Sequence, residues 1–177
     1  MAVTIDGSAS VTTNDGVVLG ITRGTAVAST SGTSIDFNSI PSWVKRITVM
    51  FSGVSTNGAS NWLIQIGDSG GIENTGYVSS AFIIATAGSA GSNSTTGYVV
   101  QCDVASYSFS GNLVITNITS NTWVSSHILG SGAALTGLQT FGGGTKTLST
   151  TLDRVRITTT NGTDAFDAGS VNLLYEG

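Results

Sequence analysis

The residues Gly67-Asp68-Ser69-Gly70-Gly71 carry the most suggestive chemistry in the chain. A serine between an aspartate and two glycines suits a nucleophile for acyl transfer, which makes Ser69 the first candidate. Such a serine needs a histidine to take its proton, a carboxylate to orient that histidine, and backbone N–H groups to receive the oxyanion. The chain has one histidine, His127, in the stretch WVSSHILG. It follows the serine, and a serine-first order belongs to hydrolases whose nucleophile elbow sits between a parallel strand and a helix. This sequence offers neither element. The pentapeptide therefore reads as a turn after a strand ending at Ile66. Glycines 67, 70 and 71 admit left-handed backbone there, and Asp68 and Ser69 close Asx and ST turns. His127 reads as a structural histidine at a strand end, and no catalytic residue is expected.

Other chemistry is thinner still. Asp164 and Asp167 lie close together in TNGTDAFDAGS, but a calcium loop needs more spaced oxygen ligands than these, so turn capping is the reading. Cys102 is the single cysteine, which excludes an intrachain disulfide and a CxxC metal site. Its surroundings, YVVQCDV, suit a buried strand thiol. No P-loop and no dinucleotide fingerprint occurs. No cofactor and no metal is expected. Trp43, Trp62 and Trp123, with Tyr77, Tyr98 and Tyr107, could act as stacking platforms for a sugar. Trp62 alternates with Ile64 and Ile66, and Trp123 opens a strand, so both suit packing better; Trp43, after Pro41, is the one expected to be exposed.

Composition narrows the partners. Only 9% of the 177 residues are charged, against about 25% in an average domain, while Gly, Ser, Thr and Asn abound. Such a surface is polar without being ionic, as in a protein packed into an assembly. The net charge is −4, and Arg23, Lys45, Arg46, Lys146, Arg154 and Arg156 are scattered. Nucleic acid demands clustered cations, so it is not an expected partner. The start, MAVTIDGSAS, lacks the charged and apolar regions of a signal peptide. No apolar run approaches a membrane span. The N-x-S/T triplets at Asn93, Asn117 and Asn161 are attributed to the abundance of Ser and Thr.

The elements around these residues are β-strands. RITVMF sets Ile47, Val49 and Phe51 on one face, and WLIQI sets Trp62, Ile64 and Ile66 together with Gln65 opposite. VRITTT points Val155 and Ile157 one way, and SVNLLYE groups Val171, Leu173 and Tyr175. This period-two alternation predicts half-buried antiparallel sheets. Asp6-Gly7, Asp15-Gly16, Asn57-Gly58 and Asn161-Gly162 read as tight hairpins. Some ten to twelve strands are expected, enough for two packed sheets: an all-β antiparallel sandwich, jelly-roll or lectin-like. Residues 1–30 read as an N-terminal attachment segment, too thin to hold a core, that pairs with a neighbour or with the main domain at 31–177. Two stretches read as loops: TAGSAGSNSTTG from Thr86 to Gly97, and the Gly-rich residues from Gly130 to Thr150.

The segments Ser31–Tyr77 and Leu152–Gly177 resemble a module of structural proteins in tailed bacteriophages, of the capsid-decoration or tail-fibre type. In that module QIGDSGGIENTGY follows an Asn-Gly turn, as here, and is not associated with proteolysis. The resemblance implies a β-sandwich, often trimeric, displayed on the virion surface. It defines no functional residues to carry over. Only about thirty residues precede the expected sandwich, which suits a decoration protein (cement or head fibre) better than a fibre with a long shaft. The expected partners are further copies in a homotrimer and the major capsid protein. The alternative is a tail-fibre tip or receptor-binding module that recognises host-surface carbohydrate.

Overall fold

The computed structural model describes residues 11–12, 18–85, 88–132 and 137–177. All the regular structure there is β-strand, in antiparallel sheets packed against each other, as the sequence predicts. In chain order the strands begin with β1 (Val11–Thr12), β2 (Val18–Leu19), β3 (Ile21–Arg23), β4 (Val27–Ala28) and β5 (Ser34–Phe37). Next come β6 (Arg46–Thr56), β7 (Trp62–Asp68), β8 (Gly71–Ile72), β9 (Tyr77–Ala85), β10 (Gly88–Ser94) and β11 (Tyr98–Val100). The last are β12 (Phe109–Thr119), β13 (Thr122–Ser131), β14 (Leu138–Thr147), β15 (Arg154–Thr159) and β16 (Phe166–Glu176).

The larger sheet runs β10-β9-β14-β13-β12-β6-β16-β3, with β4 also on β16. The smaller runs β11-β7-β15-β5, with β8 on β7. Alternation drives both. Ile47, Val49 and Phe51 of β6, Leu113 and Ile115 of β12, and Val171 and Leu173 of β16 are buried. They meet Trp62, Ile64 and Ile66 of β7 and Val155 and Ile157 of β15 in one core. Trp62 joins the layers. From the smaller sheet its indole reaches Phe51, Phe109 and Phe166 of the larger, at centroid distances of 5.9, 5.5 and 6.1 Å. Its Nε1 donates to Thr56 Oγ1 at 3.4 Å.

Two predicted loops are strands. Gly88–Ser94 pairs with β9 as an edge strand, and Leu138–Thr147 lies inside the larger sheet between β13 and β9. Small residues hide a strand from any pattern based on apolar alternation, yet their backbones pair as well as any other. Residues 133–136, in the second stretch, lie outside the described residues. The two Asn-Gly dipeptides are corners and not hairpins: Asn57-Gly58 carries the chain from β6 to β7, and Asn161-Gly162 from β15 to β16, each crossing between sheets. Asp164 ties the corners together, accepting from the Ser60 amide at 3.0 Å and from Asn161 Nδ2 at 2.6 Å. The Asn161 bond, then the Ser60 amide, holds its carboxyl below the usual range. Asp6-Gly7 and Asp15-Gly16 lie outside the described residues. Of the first thirty residues, Ile21–Arg23 and Val27–Ala28 pair with β16, so this part of the segment joins the main sheet.

Because Trp62 fills the space between the sheets, Trp62→Ala should destabilise the fold by about 3–5 kcal/mol. The check is a fall in the urea midpoint at unchanged slope; a loss under about 1 kcal/mol would show that the indole is not what joins the layers.

Candidate functional site

The GDSGG segment is the turn of the β7–β8 hairpin. Gly67 pairs with Ile72 and Asp68 with Gly71, leaving Ser69 and Gly70 at the tip. Asp68 Oδ1 accepts from the Gly70 amide at 2.8 Å, the Asx turn expected, and Oδ2 accepts from Thr150 Oγ1 at 3.0 Å. These bonds, the Gly70 amide first, lower the Asp68 pKa. The glycines do separate jobs. Gly71 has φ +139°, a left-handed conformation. A Cβ on Gly67 would sit 2.1 Å from the Gly71 carbonyl oxygen, so that position is fixed by the close return of the chain.

His127 belongs to the other sheet. It lies within β13 and not at a strand end, its ring is buried, and its Nε2 has no protein hydrogen-bond partner. No Ser69–His127 hydrogen bond through that nitrogen exists. Desolvation pushes the His127 pKa down to about 4. Cys102 is buried as expected, though in the segment after β11 and not within a strand, and desolvation raises its thiol to about 11. Asp167 bonds Ser55 Oγ and Asp164 holds the corners, so the two carboxylates serve separate contacts. Among the described residues no three His, Cys, Asp or Glu side chains gather as a metal site.

The sugar-platform residues are mostly interior. Trp62, Trp123, Tyr77 and Tyr98 are buried, the two tyrosines in an edge-to-face pair at 5.1 Å. Trp43, expected to be exposed, is half-buried against the core, as is Tyr107. The cations are dispersed: Arg154 pairs with Asp153, Arg156 with Asp36 and Arg46 with Glu176. Lys146 is buried on the inner side of β14, where its ammonium meets Glu73 and lies 5.5 Å from the Tyr77 ring centroid. Desolvation opposes ionisation of Glu73, but Lys146 and the Ser149 amide outweigh it and lower its pKa.

The feature sequence reasoning missed is the outer face of β10, β9, β14, β13 and β12. No charged side chain projects from it, since Lys146 alone among these strands is charged and it points inward. Its cross-strand register aligns Phe82 with Phe141 and Phe141 with Ile128. All three are exposed, Ile128 to 67%, and the two phenyl rings stand 6.2 Å apart. Val78 at 72% and Ile84 at 47% extend the ridge along β9. A groove of about 630 Å³ between Ile128, Phe141 and Val114 flanks it on one side. Another of about 500 Å³ lies along the same edge of the row, between Phe82, Phe141, Ser80 and Asn93.

The inner side of the same strands sets a small, polar patch among core residues such as Tyr77, Ile83, Trp123, Leu129 and Leu138. Ser79 and Ala81 of β9, Thr140 and Gly142 of β14, and Ser131 of β13 share it with His127. A Cβ on Gly142 would meet His127 Cε1 at 2.8 Å, so the glycine makes room for the imidazole. Ser92, Ser125, Ser131 and Thr140 hydroxyls on this side also lack a protein partner. A polar patch thus lies inside this end of the larger sheet, behind the exposed Phe82–Phe141–Ile128 row. Comparison with family models, curated proteins and solved structures returned no match.

Burial of neutral His127 makes stability depend on pH. The unfolded imidazole takes up a proton near pH 6.5 and the folded one only near 4. Between these values the unfolded chain binds more protons, so stability falls as pH drops through the window and is flat above it. From pH 7 to 4.5 the His127 share of the loss should be roughly 2–3 kcal/mol. His127→Gln should remove that share in paired urea titrations, and an unchanged acid slope in the variant would refute it.

Proposed function

We propose that the chain is a non-enzymatic structural protein on the surface of a tailed-bacteriophage particle, a trimeric decoration protein of the cement or head-fibre kind bound to the major capsid protein. The observation that carries a contact role is the uncharged outer face of the larger sheet, with its exposed Phe82–Phe141–Ile128 row. An exposed apolar patch rimmed by polar residues marks an interaction surface in a soluble protein. The particle setting rests on the resemblance of Ser31–Tyr77 and Leu152–Gly177 to phage structural modules. Shell proteins of this kind act by mass action, since binding only the assembled state stabilises it.

Purified chain should co-sediment with empty phage shells and raise their disruption temperature. Ser69→Ala should do the same, and a fluorophosphonate probe should leave Ser69 unlabelled. Binding to an arrayed host-surface glycan with no binding to shells would replace this reading with the receptor-binding one.

A further inference from the structure

We infer that the outer face of β9, β10, β12, β13 and β14 is where copies of this chain meet one another. The inference rests on the contact role proposed above and names the surface and its occupant.

Three observations select a second copy. The first is electrostatic. The chain carries a net charge of −4, so most pairings of its own surfaces bring like charges together, whereas this face projects none. Two copies meeting there incur no such repulsion, and no cation of a foreign partner is called for. The second is area. Five strands spaced by about 4.8 Å, each some nine residues long, make a face of roughly 24 by 30 Å, or about 700 Å². That is close to the roughly 800 Å² each partner contributes to a stable interface. The third is relief. Phe82, Phe141 and Ile128 form a raised row with a trough along one edge, on the side of Ser80 and Ser126. Row and trough are separate parts of the face, so each copy can seat its row in the trough of the next, a head-to-tail contact that closes as a ring of three. Charge-depleted centres with aromatic residues are also what distinguish interface cores from other surface.

The test is the mass of the full chain in solution, by sedimentation across about 1–100 µM, beside the double variant Ile128→Glu, Phe82→Glu. Both positions are exposed, so the fold should hold, as circular dichroism would show. The wild type should run as a trimer and the variant as a monomer, its association weakened at least about a hundredfold by charges forced together. A monomeric wild type, or a folded double variant still assembled like the wild type, overturns the inference. Should the double variant not fold, Ile128→Glu alone takes its place, with at least about a tenfold weakening expected and an unchanged constant counting against the surface. A dimer dissolved by the same changes supports the surface while overturning the threefold count. Shell binding measured on the same samples is separate: its loss in a wild type that still self-associates counts against the particle reading only.

Discussion

The contact on which the rest of the molecule depends is the indole of Trp62 against Phe51, Phe109 and Phe166. It sets one strand of the smaller sheet against three strands of the larger. Strand pairing orders each sheet by itself but says nothing about how two sheets face each other; side chains that interdigitate between them do. Once Trp62 is seated, the alternation of β7 brings Ile64 and Ile66 to the same layer, and β15 follows through its pairing with β7. The corners inherit this geometry. Asn57-Gly58 and Asn161-Gly162 both turn from one sheet to the other, and Asp164 fastens them side by side. At the far end of β7, GDSGG folds back within the smaller sheet, and its aspartate oxygens are engaged in shaping the hairpin.

What was legible in the sequence is the part whose burial follows a period of two. Ile47, Val49 and Phe51, then Trp62, Ile64 and Ile66, then Val155 and Ile157, have the orientations their spacing implies. The strands β10 and β14 were not legible. GSAGSNS and LQTFGGGTKT offer little bulk on either side, and what makes them strands is hydrogen bonding to β9 and β13, a long-range fact. Asn-Gly proved ambiguous for a related reason. Gly162 takes a φ of +67°, but Gly58 stands where a Cβ would strike the Asp164 carboxylate. The dipeptide signals a tight place in the chain and leaves open which strands it joins.

The candidate face was hidden by the same composition. Its residues are spread over five strands, and only the register of β9, β14 and β13 puts Phe82, Phe141 and Ile128 in one row. A reader of the sequence could have noticed that the alternation in YVSSAFIIA has two apolar sets. Tyr77 and Ile83 go in, while Val78, Phe82 and Ile84 go out. Such a strand has no unambiguous solvent side.

That ambiguity bears on why the interior tolerates His127, Ser131 and Thr140 without protein partners for their side-chain atoms. Unpaired buried polar groups weaken a fold, and exposed phenyl rings gain nothing from solvent, so each choice alone lowers the stability of a monomer. Together they make sense if the stability of this end of the sheet is not decided by one chain. Small inner residues at Ser79, Ala81 and Gly142 let β9 and β14 lie close over β11, where Ser79 Oγ accepts from the Val99 amide at 2.9 Å. The outer side of the same strands carries further bulk, Val78, Phe82, Ile84, Ile128 and Phe141, on a face without charge. A sheet built this way has one side made for its own second layer and the other shaped like a core that still lacks its facing half.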